Sequence, residues 1–272
     1  MNTTNGQFTK PTGCKECCLK GLCVARLFID NDAEMALFQN LVSCNHAFQR
    51  GKHLRRSDTN TPMLGIIKSG SAKTEMVSVS GERQIAGFHL PSDLFGWGLA
   101  HEQTTAASAS VIFLEASRVC LIPFSAVPTD NIQHLLHALV SRLDHEIVRQ
   151  QSLLMAVNHY SPEQLIAMFL LDLARTCRKF GKNKQFLHLS MPRSDVANYL
   201  GLATETVCRV FTRLEQAGLI LVKGKNIQLN DFSRLSDLLC IAKTEQKPLL
   251  VDRRNRQIGR TGLERRQQYT TI

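Results

Sequence analysis

From about Asp130 to His159 the chain carries neither proline nor glycine, and Leu136, Val140, Leu143, Ile147, Gln150, Leu154 and Val157 recur at alternating steps of four and three. This is a heptad seam on one continuous helix. At ~1.5 Å per residue the helix is roughly 45 Å long, more than a small domain needs to cover its own core. It either lies along its own domain or pairs with a second chain. Its length and the polar Gln150 within the seam favour pairing. A homodimer is therefore expected, with Leu136, Val140, Leu143, Ile147 and Leu154 at its centre.

The helix also divides the chain. A length of 272 residues leaves room for about two domains at ~100–200 residues each. Upstream, from about Leu54, the short runs Met63–Lys68, Lys73–Val79, Gln84–His89, Ala109–Glu115 and Arg118–Phe124 are separated by turn residues. Such spacing predicts an antiparallel barrel or roll, with a hairpin turn at Ser80-Gly81. Apolar residues make up 43% and charged residues 21%, enough for packed cores. The longest apolar runs, Val111–Leu114 and Leu165–Leu171, fall far short of the ~18 residues that cross a bilayer, so no membrane span is expected. Lys plus Arg exceed Asp plus Glu by 33 − 23 = 10, which points to polyanionic partners, nucleic acid first and an anionic membrane surface second.

Downstream, Ser161-Pro162-Glu163 is a helix start with proline at the first helical position, and a helix over Gln164–Lys179 follows, closed by Gly181. Ser194–Leu200 then reads as a short helix with Val196, Ala197 and Leu200 inward. Gly201 allows a tight turn, and a second helix starts at Thr204 with Val207, Phe211 and Leu214 on its buried face, stopping at Gly218. Leu219–Val222, the turn Lys223-Gly224-Lys225 and Ile227–Leu229 form a β-hairpin wing. This is the pattern of a winged helix-turn-helix, whose second helix enters the major groove of double-stranded DNA. Its outward face carries Glu205, Cys208, Arg209, Thr212 and Arg213. A guanidinium matches O6 and N7 of guanine, and a carboxylate accepts from N4 of cytosine. Glu205 and Arg209, four apart, hold one another in place. Arg193, Ser194, Thr204, Arg213, Lys223 and Lys225 are candidates for phosphate contact, which positions without specifying.

Nine cysteines form the remaining signal. The count is odd and the first ten residues lack the apolar stretch of a signal peptide, so a reducing, cytoplasmic setting is expected. Residues 1–26 hold Cys14, Cys17, Cys18 and Cys23 with too few apolar residues for a core of their own. Something other than hydrophobic burial must order them, and clustered thiols in the cytoplasm point to metal or redox chemistry. Cys44, Cys177, Cys208 and Cys240, each taken alone, read as small buried apolar residues. C-x2-C alone suits zinc as well as an iron–sulfur cluster.

Along nearly its whole length, apart from the last thirty or so residues, the chain resembles the CRP/FNR superfamily of bacterial transcription regulators, and within it the oxygen-sensing FNR branch. The resemblance is carried by Gly87-Phe88-His89-Leu90, by Val119-Cys120-Leu121-Ile122-Pro123-Phe124, and by Asn198-Tyr199-Leu200-Gly201-Leu202 with Glu205-Thr206. Cys14, Cys17 and Cys23 have the C-x2-C-x5-C spacing of that branch's ligands, and Cys120 falls where it places the fourth.

The resemblance implies an α+β chain in several parts. These are a cysteine-rich segment at 1–26, a cyclic-nucleotide-type β-roll at 27–129, a dimerisation helix at 130–160, a winged helix-turn-helix at 161–242 and a basic tail at 243–272. It implies one [4Fe–4S] cluster per chain on Cys14, Cys17, Cys23 and Cys120, supporting dimerisation and binding to TTGAT-type palindromes. Oxygen would convert the cluster to [2Fe–2S] and then remove it, releasing DNA. RNA polymerase is the implied partner, through the turn Ser80, Gly81, Glu82 and Arg83. Leu22 resembles the apolar residue that shields the family's cluster, and Cys18 is a substitute ligand, a trap for a degraded cluster as a persulfide or disulfide, or a bystander.

Two departures stand out. Cys208 replaces the serine that helps to read the outer base pairs, so Glu205 and Arg209 predict the shared GA core better than the flanks. The stretch Thr104-Thr105-Ala106-Ala107 offers no Arg-Ser pair for a cyclic-nucleotide phosphate, so the roll is expected to hold no nucleotide. No acid, base or nucleophile constellation and no Gly-rich phosphate loop suggest an enzyme. The alternative is a regulator of the same fold with a structural zinc site or no metal, answering another signal.

Overall fold

Two four-stranded antiparallel sheets pack face to face in the N-terminal half of the computed structural model, which describes residues 13–17, 19, 21–23, 25–26, 30–55, 63–97, 107–123, 132–179 and 185–245. One sheet runs β1(Ser43–Phe48), β8(Ser117–Pro123), β3(Met63–Ser69), β6(Leu94–Trp97). The other runs β2(His53–Arg55), β7(Ala107–Phe113), β4(Ala72–Ser78), β5(Arg83–His89). Alternate residues of each strand point inward, so Leu54, Ile67, Phe95, Val111, Phe113, Val119 and Leu121 fill the space between the sheets. Phe48 stacks on Phe113 with centroids 4.5 Å apart. Gly65 is required where it stands, because a Cβ there would lie 2.3 Å from the Phe95 ring. The β4–β5 hairpin turns through Ser80 and Gly81, the latter at φ 87°, as expected.

Outside the first sheet, the 3₁₀ turn Cys14–Glu16 and helix α1(Asp32–Leu41) add a second apolar layer. Cys14, Leu19, Cys23 and Ala25 bury with Met35, Phe38 and Val42 against Leu64, Ile66 and Ile122 of the roll. The cysteine segment, too poor in apolar residues for a core of its own, thus shares one.

Helix α2(Ile132–His159) leads to α3(Pro162–Lys179). The junction is a capping box: Gln164 N–H donates to Ser161 Oγ (3.3 Å) while Ser161 N–H donates to Gln164 Oε1 (2.9 Å). Then come β9(Phe186–His188), α4(Arg193–Leu200), α5(Thr204–Gln216), β10(Ile220–Lys223), β11(Asn226–Leu229) and α6(Phe232–Glu245). Ile166, Leu170, Val196, Leu200, Val207, Phe211, Leu214 and Ile220 make one core with this hairpin. Gly201, at φ 67° and ψ 29°, closes α4 in the left-handed region and lets α5 leave at a sharp angle.

Several elements were not legible in the sequence: α1, β1, β2, β6, β9 and α6. Helix α6 reaches Glu245, three residues past the boundary drawn at 242. The basic tail beyond it, Cys18 and the stretch at 104–106 lie outside the described residues.

Candidate metal centre and nucleic-acid interface

Cys14, Cys17, Cys23 and Cys120 line one cavity walled by Leu19, Phe38, Val42 and Ile66. Each is held by its own local structure. Gln39 of α1 accepts from the N–H groups of Cys14 (3.3 Å) and Lys15 (3.2 Å) through its amide oxygen. The N–H of Cys17 donates to Cys14 O (3.3 Å) and that of Cys23 to Leu19 O (2.9 Å), and Lys15 pairs with Asp32 at the head of α1. Cys120 arrives from the roll, on the face of β8 opposite to the inward-pointing Val119 and Leu121.

A fifth cysteine shares the cavity. Cys44 of β1 lines it with Lys68, so it is no isolated core residue. Its thiolate accepts from the Cys120 thiol and then from the Cys14 thiol, and with Lys68 and His46 nearby its pKa is pulled down to about 3. Hydrogen bonding to Cys44 and burial push the thiols of Cys14 and Cys120 up. Thiolates are the soft donors that iron–sulfur clusters and zinc take, and the donor set here is thiol only in an apolar wall. Among the described residues no three of His, Cys, Asp or Glu converge closely enough for a single ion.

On α5, Glu205, Cys208, Arg209, Thr212 and Arg213 line one open groove, as the helical spacing required. Arg209 Nη2 pairs with Glu205 Oε1, and both side chains stay about 70% exposed. Thr212 Oγ1 donates to Cys208 O at 3.2 Å, leaving the exposed Cys208 thiol in front. Arg213 Nη1 binds Glu163 Oε1 of α3 at 3.0 Å. Glu215 Oε1 accepts from Val222 N–H at 2.9 Å and so fixes the wing to α5. Lys223 and Lys225 flank Gly224 at the exposed wing tip, and Ser194 and Thr204 are also exposed. Arg193 is placed differently: its guanidinium lies 3.4 Å over the centroid of the Phe211 ring, and burial lowers its pKa. Its cation is engaged inside the domain rather than presented at the groove.

Along α2 the outward stripe is apolar. Val140, Leu143, Ile147 and Leu154 are 61%, 55%, 55% and 66% exposed, with Val148 and Met155 beside them; the side chain of Leu136 lies outside the described residues. Gln150 departs from the expected seam. Its Nε2 donates to Ala86 O of β5 at 3.0 Å and to Glu146 Oε1 at 2.8 Å, so it faces its own roll. Gln151, one residue on, is exposed between Ile147 and Leu154.

Sequence reasoning also missed the joint between roll and helix-turn-helix. Asn198 of α4 donates through Nδ2 to Arg83 O (2.9 Å) and accepts at Oδ1 from Ile85 N–H (2.6 Å), so its amide pairs with β5 like one more strand residue. Lys73 Nζ sits 2.9 Å from Asp195 and 3.7 Å from Glu75. The Oγ atoms of Ser71 and Ser190 lie 2.6 Å apart. Asn198 and Asp195 share the outward side of α4 with their polar character visible, but nothing local says what they meet. The tip Ser80–Arg83 projects just beyond this joint.

Comparison with known proteins agrees with these features. Residues 164–238 match the Crp-like helix-turn-helix domain, and residues 45–128 match the cyclic nucleotide-binding domain. The transcriptional activator protein Anr of Pseudomonas aeruginosa is 34% identical over 83% of this chain and 91% of its own length. The fumarate and nitrate reduction regulatory protein of Escherichia coli K12 is 30% identical over 83% of this chain and 89% of its own. Among solved structures, that of FixK2 from Bradyrhizobium japonicum superposes with a TM-score of 0.61 at 22% identity, over 72% of this chain and 97% of that one.

Proposed function

The chain belongs to the CRP/FNR family of transcription regulators, and from that premise we propose that it is a homodimeric, oxygen-responsive regulator of the FNR type that carries one [4Fe–4S] cluster per chain. The observation that carries this reading is the meeting of Cys14, Cys17, Cys23 and Cys120 in one mostly apolar cavity, which Cys44 and Lys68 also line. Those four would hold the group, which when bound supplies an oxygen-labile redox centre whose loss frees the thiols. The remaining work falls to the chain. Cys120 ties the N-terminal layer to β8, and Leu19, Phe38, Val42 and Ile66 keep bulk water from the thiols. Leu136, Val140, Leu143, Ile147 and Leu154 pair two α2 helices, and at the last four positions pairing buries a stripe that a lone chain exposes.

Pairing sets two α5 helices for successive major grooves of a palindrome, about one turn apart. Arg209 and Glu205 read the core bases, and Cys208 and Thr212 border the outer ones. Ser194, Thr204, Arg213, Lys223 and Lys225 contact phosphate. Arg193 acts through the Phe211 ring as a positioning residue. The Ser80–Arg83 tip meets RNA polymerase. The roll serves as a scaffold without cyclic nucleotide, and the protein works in the cytoplasm, where its operators are; among the described residues no helix is long and apolar enough to cross a membrane.

The test is anaerobic purification followed by iron, sulfide and visible absorption measurements, with affinity for a TTGAT-type palindrome taken before and after air. A brown protein with near four irons that bleaches and releases DNA is expected. A colourless, zinc-containing or metal-free protein that binds equally in air would overturn the oxygen-sensing reading and leave a regulator answering another signal.

A further inference from the structure

A centre with four ligands has no use for a fifth thiol, yet the fold aims one into it. The β1–β8 register pairs Ser43 with Leu121 and His46 with Val119. Cys44 and Asn45 therefore face Cys120 alone, two residues against one, which is a β-bulge. Asn45 takes a left-handed φ of 69° and is held there by Lys68 Nζ, which donates to its Oδ1 at 2.8 Å. A bulge re-aims the side chains around it, and here it leaves the Cys44 sulfur in hydrogen-bond contact with the Cys120 thiol inside the cavity.

We propose that Cys44 and Cys120 form a reversible disulfide when the cavity holds no cofactor, so that the chain carries a thiol switch that decides whether the centre can be loaded. The two residues meet at one bulged position of paired strands with their sulfurs already in contact, the proximity that a disulfide requires. Cys14 also touches Cys44, but it sits in the 3₁₀ turn fixed to α1 through Gln39, whereas Cys44 and Cys120 share one sheet. The oxidant is a hydroperoxide. The Cys44 thiol gives up its proton and its sulfur attacks the terminal peroxide oxygen; the O–O bond breaks, giving a sulfenic acid and hydroxide, which takes up that proton. The Cys120 thiol then attacks the Cys44 sulfur and water leaves. Two thiols and one hydrogen peroxide yield one disulfide and two waters, and a dithiol reverses the bond by exchange. The consequence for loading rests on the iron–sulfur reading above, because it takes Cys120 as a ligand.

The test uses the full chain, reduced and stripped of metal by a chelator without air. It receives one equivalent of hydrogen peroxide, is alkylated with iodoacetamide, and is mapped by peptide mass spectrometry. Two fewer free thiols per chain, a peptide joining Cys44 to Cys120, and full recovery with dithiothreitol are expected; Cys44→Ala should keep Cys120 alkylatable. A map joining Cys120 to Cys14, Cys17 or Cys23, or one with Cys44 fully alkylated, overturns the proposal. In parallel, ferrous iron and sulfide are given to the reduced and the oxidised chain. Absorption should develop in the first and, in the second, only after dithiothreitol. An oxidised chain that loads as readily as the reduced one overturns the loading role. A reduced chain that takes up no iron overturns the iron–sulfur reading and leaves the disulfide to be judged by the map.

Discussion

Replacing Ile147 with Ala tests the pairing role of α2 at its most informative position. In the single chain Ile147 is 55% exposed, so little of its side chain helps the monomer. Full burial of an Ile side chain is worth about 1.5–3 kcal/mol, and burying the exposed fraction about 0.8–1.6 kcal/mol per chain. A symmetric interface uses each residue twice, so the substitution removes about 2–3 kcal/mol, between one and two orders of magnitude in the dimer Kd. The monomer gains slightly, since Ala is the better helix former. Sedimentation equilibrium of the anaerobic, cofactor-loaded protein measures the first quantity, and thermal unfolding at a concentration where only monomer is present measures the second. Gln150→Ala is the contrast: it loses bonds to Ala86 and Glu146 and should lower monomer stability by about 1 kcal/mol with the dimer Kd unchanged. An Ile147→Ala protein that dimerises normally, or one whose monomer is destabilised as much as its dimer, would refute the assignment of this stripe.

Arg209→Ala should relax discrimination at one base pair by about 1–3 kcal/mol, read by titrating operator variants; an unchanged base preference rejects its reading role. Lys73→Ala would leave Asp195, 16% exposed, without its cation and Glu75 with Arg83 alone at 3.7 Å, and should destabilise the chain by about 3 kcal/mol; an unaltered calorimetric midpoint counts against this account of the joint. His89 is held down to about 3, first by burial and then by the Arg149 charge, while Thr74 Oγ1 bonds its Nε2 at 2.7 Å. The unfolded chain takes up this proton near pH 6.5 and the native chain refuses it until about pH 3, so stability is present above 6.5 and falls with acidification, by about 2 kcal/mol at pH 5. Urea unfolding from pH 7.5 to 5 should show that loss in the parent chain and less of it in His89→Gln; equal slopes would refute it.

What the sequence could and could not convey follows from range. The two helices around Gly201 were legible because their signals are local: apolar spacing, a left-handed turn residue and a stop at Gly218. The seam on α2 was legible at Ile147 and Leu154 and misplaced at Gln150, because at 3.6 residues per turn position 150 lies about 60° round the helix from Ile147, at the edge of the stripe and against its own roll, whereas Gln151 lies about 40° to the other side. Helix α6 had a usable signal that went unread, Asp231, whose Oδ1 accepts from Arg234 N–H at 2.9 Å as a cap does. At the centre, the four spaced cysteines were assigned together and Cys44 was not. Its neighbour Cys120 is near only through the β1–β8 pairing, and periodicity within β1 contains no trace of β8.

The staples between β4, β5 and α4, made by Ser71, Lys73 and Asn198, have a mechanical consequence. They index each recognition helix to its own roll, so that in the proposed function a signal from the cysteine cavity meets, among the described residues, no free joint through which to swing the DNA-reading head. What such a signal can alter is how two already rigid halves are mounted on each other through α2. The protein then behaves like a pair of calipers whose jaws do not bend and whose gap is set at the pivot, and the quantity it measures along DNA is the distance between half-sites.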